Sequence, residues 1–177
     1  QHSDIAMYQA KRSGPAAYHV YARGADEART LLGTTTDLHR ALERNEFSLH
    51  YQPIFDLATN EFAEVEALIR WQRPGHGLVP PDSFLPIAER AGLMGEISTW
   101  VVRESCRQAK VWQQAGLDLR VGFNLPPVLW QTAVLRDVAR TLDEFWLAGN
   151  RIAIEATESA LGSEQLGASP MLAELRA

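Results

Sequence analysis

The chain has 177 residues, of which 46% are hydrophobic and 22% are charged, with a net charge of −5 and a pI near 5.5. This composition is that of a soluble globular protein, and its acidity excludes a protein that binds polymeric nucleic acid by neutralising phosphates. No apolar run approaches the roughly 20 residues of a membrane-spanning helix. The single cysteine, Cys106, has no disulfide partner within the chain, which favours a cytoplasmic setting.

The first part of the chain predicts mainly helices. Residues 4–12, "DIAMYQAKR", predict a short helix that Gly14 and Pro15 end, and residues 16–21, "AAYHVY", have the character of a strand. After Gly24, the sequence predicts two helical stretches that are interrupted by Gly33 and three threonines.

From Phe47 onward, strands and helices alternate. Strands are predicted in "FSLHYQPIFDL", "FAEVEALIRW", "LRVGFNL" and "RIAIEAT", and "RPGHGLVPP" is predicted to be a loop. Helices are predicted in "DSFLPIAERAG" (capped by Asp82 or Ser83), "EISTWVVRESCRQAKVWQQAG", "VLRDVARTLDEFW" and "SPMLAELRA". This order predicts an α/β fold with a parallel sheet that is covered on both faces.

Polar side chains occur at similar places in three of these strands. In "EVEALIRW", alternation puts Glu66 and Arg70 on the face opposite Val65. We expect three parallel strands to end in Glu66, Asn124 and Glu155, with Glu158 one turn later. Their oxygen atoms are ligands suited to Mg²⁺, Mn²⁺ or Ca²⁺, and Arg70 offers a fork of donors to a phosphate. The pattern therefore predicts metal-assisted hydrolysis of a phosphoester.

Taken singly, each residue also has a simple structural interpretation. Glu64 is expected to be solvated, and Asn124 could hydrogen-bond a turn before the Pro126–Pro127 pair. Glu158 could be a first-turn acid of the next helix, and Arg70 could form an ion pair with Glu66. The five histidines lack the spacing of a zinc site.

Several motifs together resemble those of a known family. "EVEALIRW", followed by "RPGHGLVPPDSFLPIAERAGLMGEISTWVV", resembles the EAL domain, the cyclic di-GMP phosphodiesterase family of bacterial signalling, and "LHYQPIFDL", "GFNL" and "IEATES" resemble its other early motifs in the expected order. The resemblance covers about residues 37–170. It implies a (β/α) TIM-barrel-like fold, of which residues 47–177 are the N-terminal half. Residues 24–46 would be a linker and the first EAL helix, and residues 1–23 are similar to the C-terminal end of a GGDEF domain.

The resemblance also implies roles for individual residues. Glu66, Asn124 and Glu155 would hold Mg²⁺ or Mn²⁺, with Ca²⁺ inhibitory. Gln52, Leu68, Arg70 and Asn124 would bind cyclic di-GMP, Glu66 would be catalytic, and the product would be the linear dinucleotide pGpG. Glu158 would be a second catalytic residue, bracing a loop near the metal and the interface of a homodimer.

This chain also departs from the family pattern. The "DDFGTG" motif and the later lysine and glutamate of the family are not in the sequence, and a full barrel needs about 250 residues. Pro126 and Ala156 replace the usual Ser and Ile. We therefore expect a fragment whose open sheet edge associates with a second copy or with the missing remainder; the parent protein could be anchored to a membrane elsewhere. The alternatives are a non-catalytic cyclic di-GMP receptor and a dimerising interaction module.

Overall fold

The computed structural model describes residues 23–58, 61–126, 129 and 132–155. The predictions for residues 1–22, for Glu158 and for the last helix lie outside these residues. Within them, no helix has the length and apolar character needed to cross a membrane.

Helices and strands follow one another as a hairpin and then as alternating units. The elements are α1 (Arg23–Glu43), β1 (Phe47–Asp56), β2 (Glu61–Arg73), β3 (Gly77–Val79), α2 (Pro81–Arg90), α3 (Met94–Gln114), β4 (Arg120–Asn124), α4 (Thr132–Phe145), a 3₁₀ turn (Gly149–Arg151) and β5 (Ile152–Glu155). Gly92 and Gly116 follow α2 and α3 with φ of +74° and +79°, the left-handed conformation that ends a helix.

The sheet has the strand order β1-β2-β4-β5, and β3 also pairs with β2. The predicted parallel arrangement is confirmed for β2, β4 and β5, which the helices α2, α3 and α4 connect. In contrast, β1 and β3 run antiparallel to β2. The reason is that short turns, too short for a crossover, join them to β2.

Three local predictions were wrong. The segment "RPGHGLVPP" contains the three-residue strand β3, which pairs with the end of β2. The stretch around Gly33 is one continuous helix, because a glycine inside a helix costs only about 1 kcal/mol relative to alanine. Helix α2 begins at Pro81, without a side-chain cap from Asp82 or Ser83, because proline suits the first helical position.

The hydrophobic core lies on one face of the sheet. Trp71, Val121 and Phe123 are completely buried there, and Phe84 of α2 and Cys106 of α3 pack into the same cluster. The expected cover on the second face is not seen in the described part of the chain, where Gln52 and Asn124 are exposed. The charged alternation in β2 therefore has a simple cause: one side of the strand faces the core and the other carries polar groups.

Because Cys106 is buried in this core, the reactivity of its thiol tests the packing. Its side chain is inaccessible, as expected for a small core residue, and burial raises the pKa of its thiol to about 11. At pH 8 we therefore expect native Cys106 to react with a thiol reagent at least about 100-fold more slowly than in denaturant, because the thiolate is the reactive form. The absorbance change with Ellman's reagent, with and without urea, measures both rates. Equal rates would contradict the described core.

Candidate functional site

Glu66 and Asn124 are in direct contact on the polar face of the sheet. In the parallel pairing of β2 with β4, Glu66 lies opposite Gly122, two residues before Asn124. The Asn124 side chain nevertheless reaches Glu66, and its Nδ2 donates a hydrogen bond of 2.7 Å to Glu66 Oε1. Because the amide donates through nitrogen, its Oδ1 keeps its lone pairs for another partner.

Glu66 does not end its strand, contrary to the sequence prediction. β2 continues for seven residues beyond it, to Arg73, because the hairpin with β1 and the pairing with β3 extend the strand. Asn124 ends β4 as predicted, and it lies opposite Glu155, the last residue of β5 that the structure describes. One of the three positions, Asn124, is therefore confirmed as a strand end, Glu155 stays a prediction in this respect, and Glu66 reaches the same region from inside a longer strand.

Glu155 adds a second carboxylate to the pair. Its pKa is raised above the ordinary value, chiefly because burial removes water from the carboxylate, and further because the charges of Glu66 and Glu64 repel it. Repulsion from two other glutamates indicates that the three carboxylates share one patch of the sheet. Excess negative charge of this kind favours a bound cation.

Glu64 is not the solvated residue that we expected. Its side chain is only 18% exposed and forms an ion pair with Arg120, which is 52% exposed. Glu64 and Arg120 lie opposite each other in the β2–β4 register, one level below Glu66 and Gly122. The sequence shows a glutamate two residues before Glu66 and an arginine two residues before Gly122. That these two residues form an ion pair follows only from the strand register.

The residues expected to bind a ligand are distributed over the same face. Gln52 of β1 lies directly opposite Glu66. Leu68 follows Glu66 by two residues and Arg70 by four, a distance of about 13 Å along an extended strand. Arg70 Nη1 donates a hydrogen bond of 2.8 Å to the carbonyl oxygen of Ile69, and no ion pair with Glu66 forms among the described residues. The guanidinium thus keeps further donors available.

A cavity of about 550 Å³ adjoins the cluster. It lies between the middle of β2, the end of β4 and the helices α2 and α3, and both Leu68 and Asn124 line it. Its wall is mostly apolar, with the carboxylates of Asp82 and Glu89 among its polar groups. A cavity of this size accommodates a small organic ligand.

The donor set fits a hard divalent cation. Glu66, Asn124 and Glu155 offer two carboxylates and one amide oxygen, which suit Mg²⁺ or Mn²⁺. Over the ranges that the structure covers, no group of three or more His, Cys, Asp or Glu side chains is arranged to hold a metal by itself. Two carboxylates and one amide oxygen would therefore supply only part of a coordination sphere.

Comparison with known sequences gives consistent matches. A family model described as the EAL domain matches residues 35–177. The bifunctional diguanylate cyclase/cyclic di-GMP phosphodiesterase MucR of Pseudomonas aeruginosa is 38% identical over 160 residues, which are 89% of this chain and 23% of that protein. Cyclic di-GMP phosphodiesterase PdeR of Escherichia coli is 34% identical over 163 residues, 91% of this chain and 24% of that protein. The chain thus spans about a quarter of these relatives.

Solved structures agree with this assignment. The phosphodiesterase PaMucR in complex with c-di-GMP superposes with a TM-score of 0.77 at 34% identity, covering 81% of this chain and 59% of that one. The EAL domain of Xanthomonas citri FimX in complex with c-di-GMP gives a TM-score of 0.76 at 26% identity, covering 85% and 59%. These neighbours confirm the predicted barrel-like α/β fold, of which this chain contains a part.

The raised pKa of Glu155, caused chiefly by desolvation and then by repulsion, predicts a stability effect that depends on pH. The raised pKa means that the charged carboxylate destabilises the fold at neutral pH, and that this penalty disappears as the pH falls through the raised pKa toward the unfolded value. We therefore expect Glu155→Gln to increase the urea midpoint at pH 7 in EDTA, with a smaller gain near pH 4.5.

The control for this substitution is Glu144→Gln, which removes a carboxylate near the end of α4. Glu144 pairs with Arg103 on the surface, where an ion pair contributes about 0–1 kcal/mol, so its loss gives no gain. Equal midpoints for Glu155→Gln and the wild type at pH 7 would contradict the raised pKa of Glu155.

Proposed function

The chain belongs to the EAL domain family, and we propose that it forms part of a phosphodiesterase that hydrolyses cyclic di-GMP to pGpG with Mg²⁺ or Mn²⁺. The observation that carries this proposal is the cluster of Glu66, Asn124 and Glu155 on the polar face of the parallel strands. The named phosphodiesterases among its relatives, and the c-di-GMP complexes among its structural neighbours, support the choice of substrate.

In this proposal, Glu66, Asn124 and Glu155 hold the cation. A bound Mg²⁺ or Mn²⁺ supplies neutralisation of phosphoryl charge and a lowered pKa of water. The hydrogen bond from Asn124 to Glu66 orients both ligands, because it fixes which oxygen of each side chain remains available. Glu155 contributes the charge whose repulsion a cation would relieve.

The substrate would lie along the polar face between the cluster and Arg70. The Arg70 guanidinium is suited to a phosphate, which it can bind through two parallel N–H donors. Gln52, opposite Glu66, offers amide donors and an acceptor, and Leu68 gives apolar contact at the edge of the cavity. Guanine presents N–H donors along one edge, and the carboxylates of Asp82 and Glu89 that line the cavity are matching acceptors.

The reaction in this proposal is attack by water on one phosphodiester. The water oxygen bonds to phosphorus, the bond from phosphorus to the 3′ oxygen breaks, and that oxygen takes a proton, which leaves linear pGpG. The activity belongs to the complete domain, since this sequence holds neither the "DDFGTG" motif nor the later lysine and glutamate. Glu158 remains a predicted contributor that lies outside the described residues.

Assembly and location are part of the same proposal. In the region that the structure covers, β1 and β5 are the two edges of the sheet, and exposed edges pair with further strands or with another chain. We propose a cytoplasmic homodimer. The boundaries at residues 23 and 46 between a GGDEF remnant, a linker and the EAL portion likewise remain predictions.

Removal of the Glu66 carboxylate tests the catalytic proposal. In the natural full-length protein with Mn²⁺ or Mg²⁺, we expect Glu66→Gln to lower the rate of pGpG formation at least about 100-fold, because a ligand of the cation is lost while the side-chain volume is kept. Chromatography of the nucleotide products measures the rate, and Glu144→Gln serves as the control. Wild type that binds cyclic di-GMP without forming pGpG would instead identify a receptor.

Arg70 tests substrate binding separately from metal binding. We expect Arg70→Ala to raise the Kd for cyclic di-GMP in EDTA by about 10- to 100-fold, because a phosphate loses a charge-assisted, two-point contact. Arg140→Ala removes the same charge from an exposed position on α4 and should leave the Kd unchanged. Calorimetric titration measures both values, and equal Kd values for the two variants would argue against a phosphate site at Arg70.

A further inference from the structure

Gly122 occupies the centre of the carboxylate patch. It lies opposite Glu66 on one side and opposite Ala153 of β5 on the other, at one level of the three parallel strands. A glycine next to an alanine leaves a depression on the polar face at this level. Glu155, one level higher on β5, extends its carboxylate into the depression.

The space above Gly122 is used by carboxylate oxygens. A Cβ at this position would lie 2.6 Å from Glu155 Oε1 and 3.4 Å from Glu64 Oε1. The first distance is well inside van der Waals contact, so Glu155 would have to move by at least about 0.5 Å. The backbone of Gly122 has the negative φ of an ordinary strand residue, a conformation that any residue can adopt. The glycine is therefore explained by the carboxylate and not by the backbone.

We infer that Gly122 is a positioning residue, which determines how closely the Glu155 carboxylate approaches Glu66 and thereby sets the affinity of the proposed cation site. This inference rests on the proposed function. A metal site requires its ligands within about 0.5 Å of their working positions, and the displacement forced by one methyl group is of that size. A shift of Glu155 away from β4 would separate the two carboxylates that would hold the cation.

The first test is Gly122→Ala in the natural full-length protein, with Mn²⁺ affinity measured by electron paramagnetic resonance in the absence of nucleotide. We expect the Kd for Mn²⁺ to rise about 10- to 100-fold. The affinity for cyclic di-GMP in EDTA should change less than about twofold, and the thermal midpoint should not fall. Gly95→Ala is the matched control, because a Cβ at Gly95 meets nothing within 4 Å.

A second variant distinguishes an effect on the position of the Glu155 carboxylate from a general disturbance of the fold. Glu155→Asp retracts the carboxylate by one methylene group, so it should weaken Mn²⁺ binding in the wild type but weaken it much less, or strengthen it, in the G122A background. Independent effects of the two substitutions would overturn the inference.

The outcomes also distinguish this inference from the proposed function. Wild-type Mn²⁺ binding that Gly122→Ala leaves unchanged would overturn the role of Gly122 alone. Wild type that neither binds Mn²⁺ nor forms pGpG would overturn the proposed metal-dependent phosphodiesterase, and the inference with it. A loss of Mn²⁺ affinity accompanied by an equal loss of cyclic di-GMP affinity and of thermal stability would assign Gly122 a merely structural role.

Discussion

The parallel register of β2, β4 and β5 is the constraint on which the rest of the structure depends. It places Glu66 opposite Gly122 and Asn124 opposite Glu155, so the polar groups meet without any loop to position them. The register is held from the other face of the sheet, where Val121 and Phe123 are completely buried. A slip by one residue would exchange the faces and bring glutamates into the core, and for this reason hydrophobic packing specifies the polar site.

The polar face has an electrostatic cost that the core must offset. Three carboxylates lie together on this face, those of Glu64, Glu66 and Glu155, and each has a different environment. Glu64 is paired with Arg120, Glu66 accepts a hydrogen bond from Asn124, and the pKa of Glu155 is raised chiefly by desolvation and then by the other two charges. One ion pair and one neutral hydrogen bond do not neutralise three negative charges, so the face retains an excess of negative charge.

Much of this arrangement could be predicted from the sequence because its signals are local. Alternation in "EVEALIRW" correctly separated Val65, Ala67, Ile69 and Trp71, which are buried, from Glu66 and Arg70 on the opposite face. The antiparallel β3 could not be predicted, because a three-residue strand is defined by its pairing with β2 and not by its own glycine-rich composition. The partner of Glu64 and the role of Gly122 were missed for a related reason. Both depend on which residues lie level across strands that are far apart in the chain.

The separation of the hydrophobic face of the sheet from its polar face bears on the choice between an enzyme and an interaction module. A module that only dimerised would need the core face and an edge, and neutral residues in place of Glu64, Glu66 and Glu155 would serve it at lower electrostatic cost. The carboxylates do not stabilise the core, since they lie on the other side of the sheet, and Glu155 is a source of repulsion. A group that destabilises the isolated fold is typical of a site where function conflicts with stability, and this supports the proposed binding of a cation. The same argument favours the proposed hydrolase over a receptor. A receptor would need only Arg70 and the neighbouring cavity, whereas a cluster of carboxylates next to a phosphodiester would repel it unless a cation lay between them.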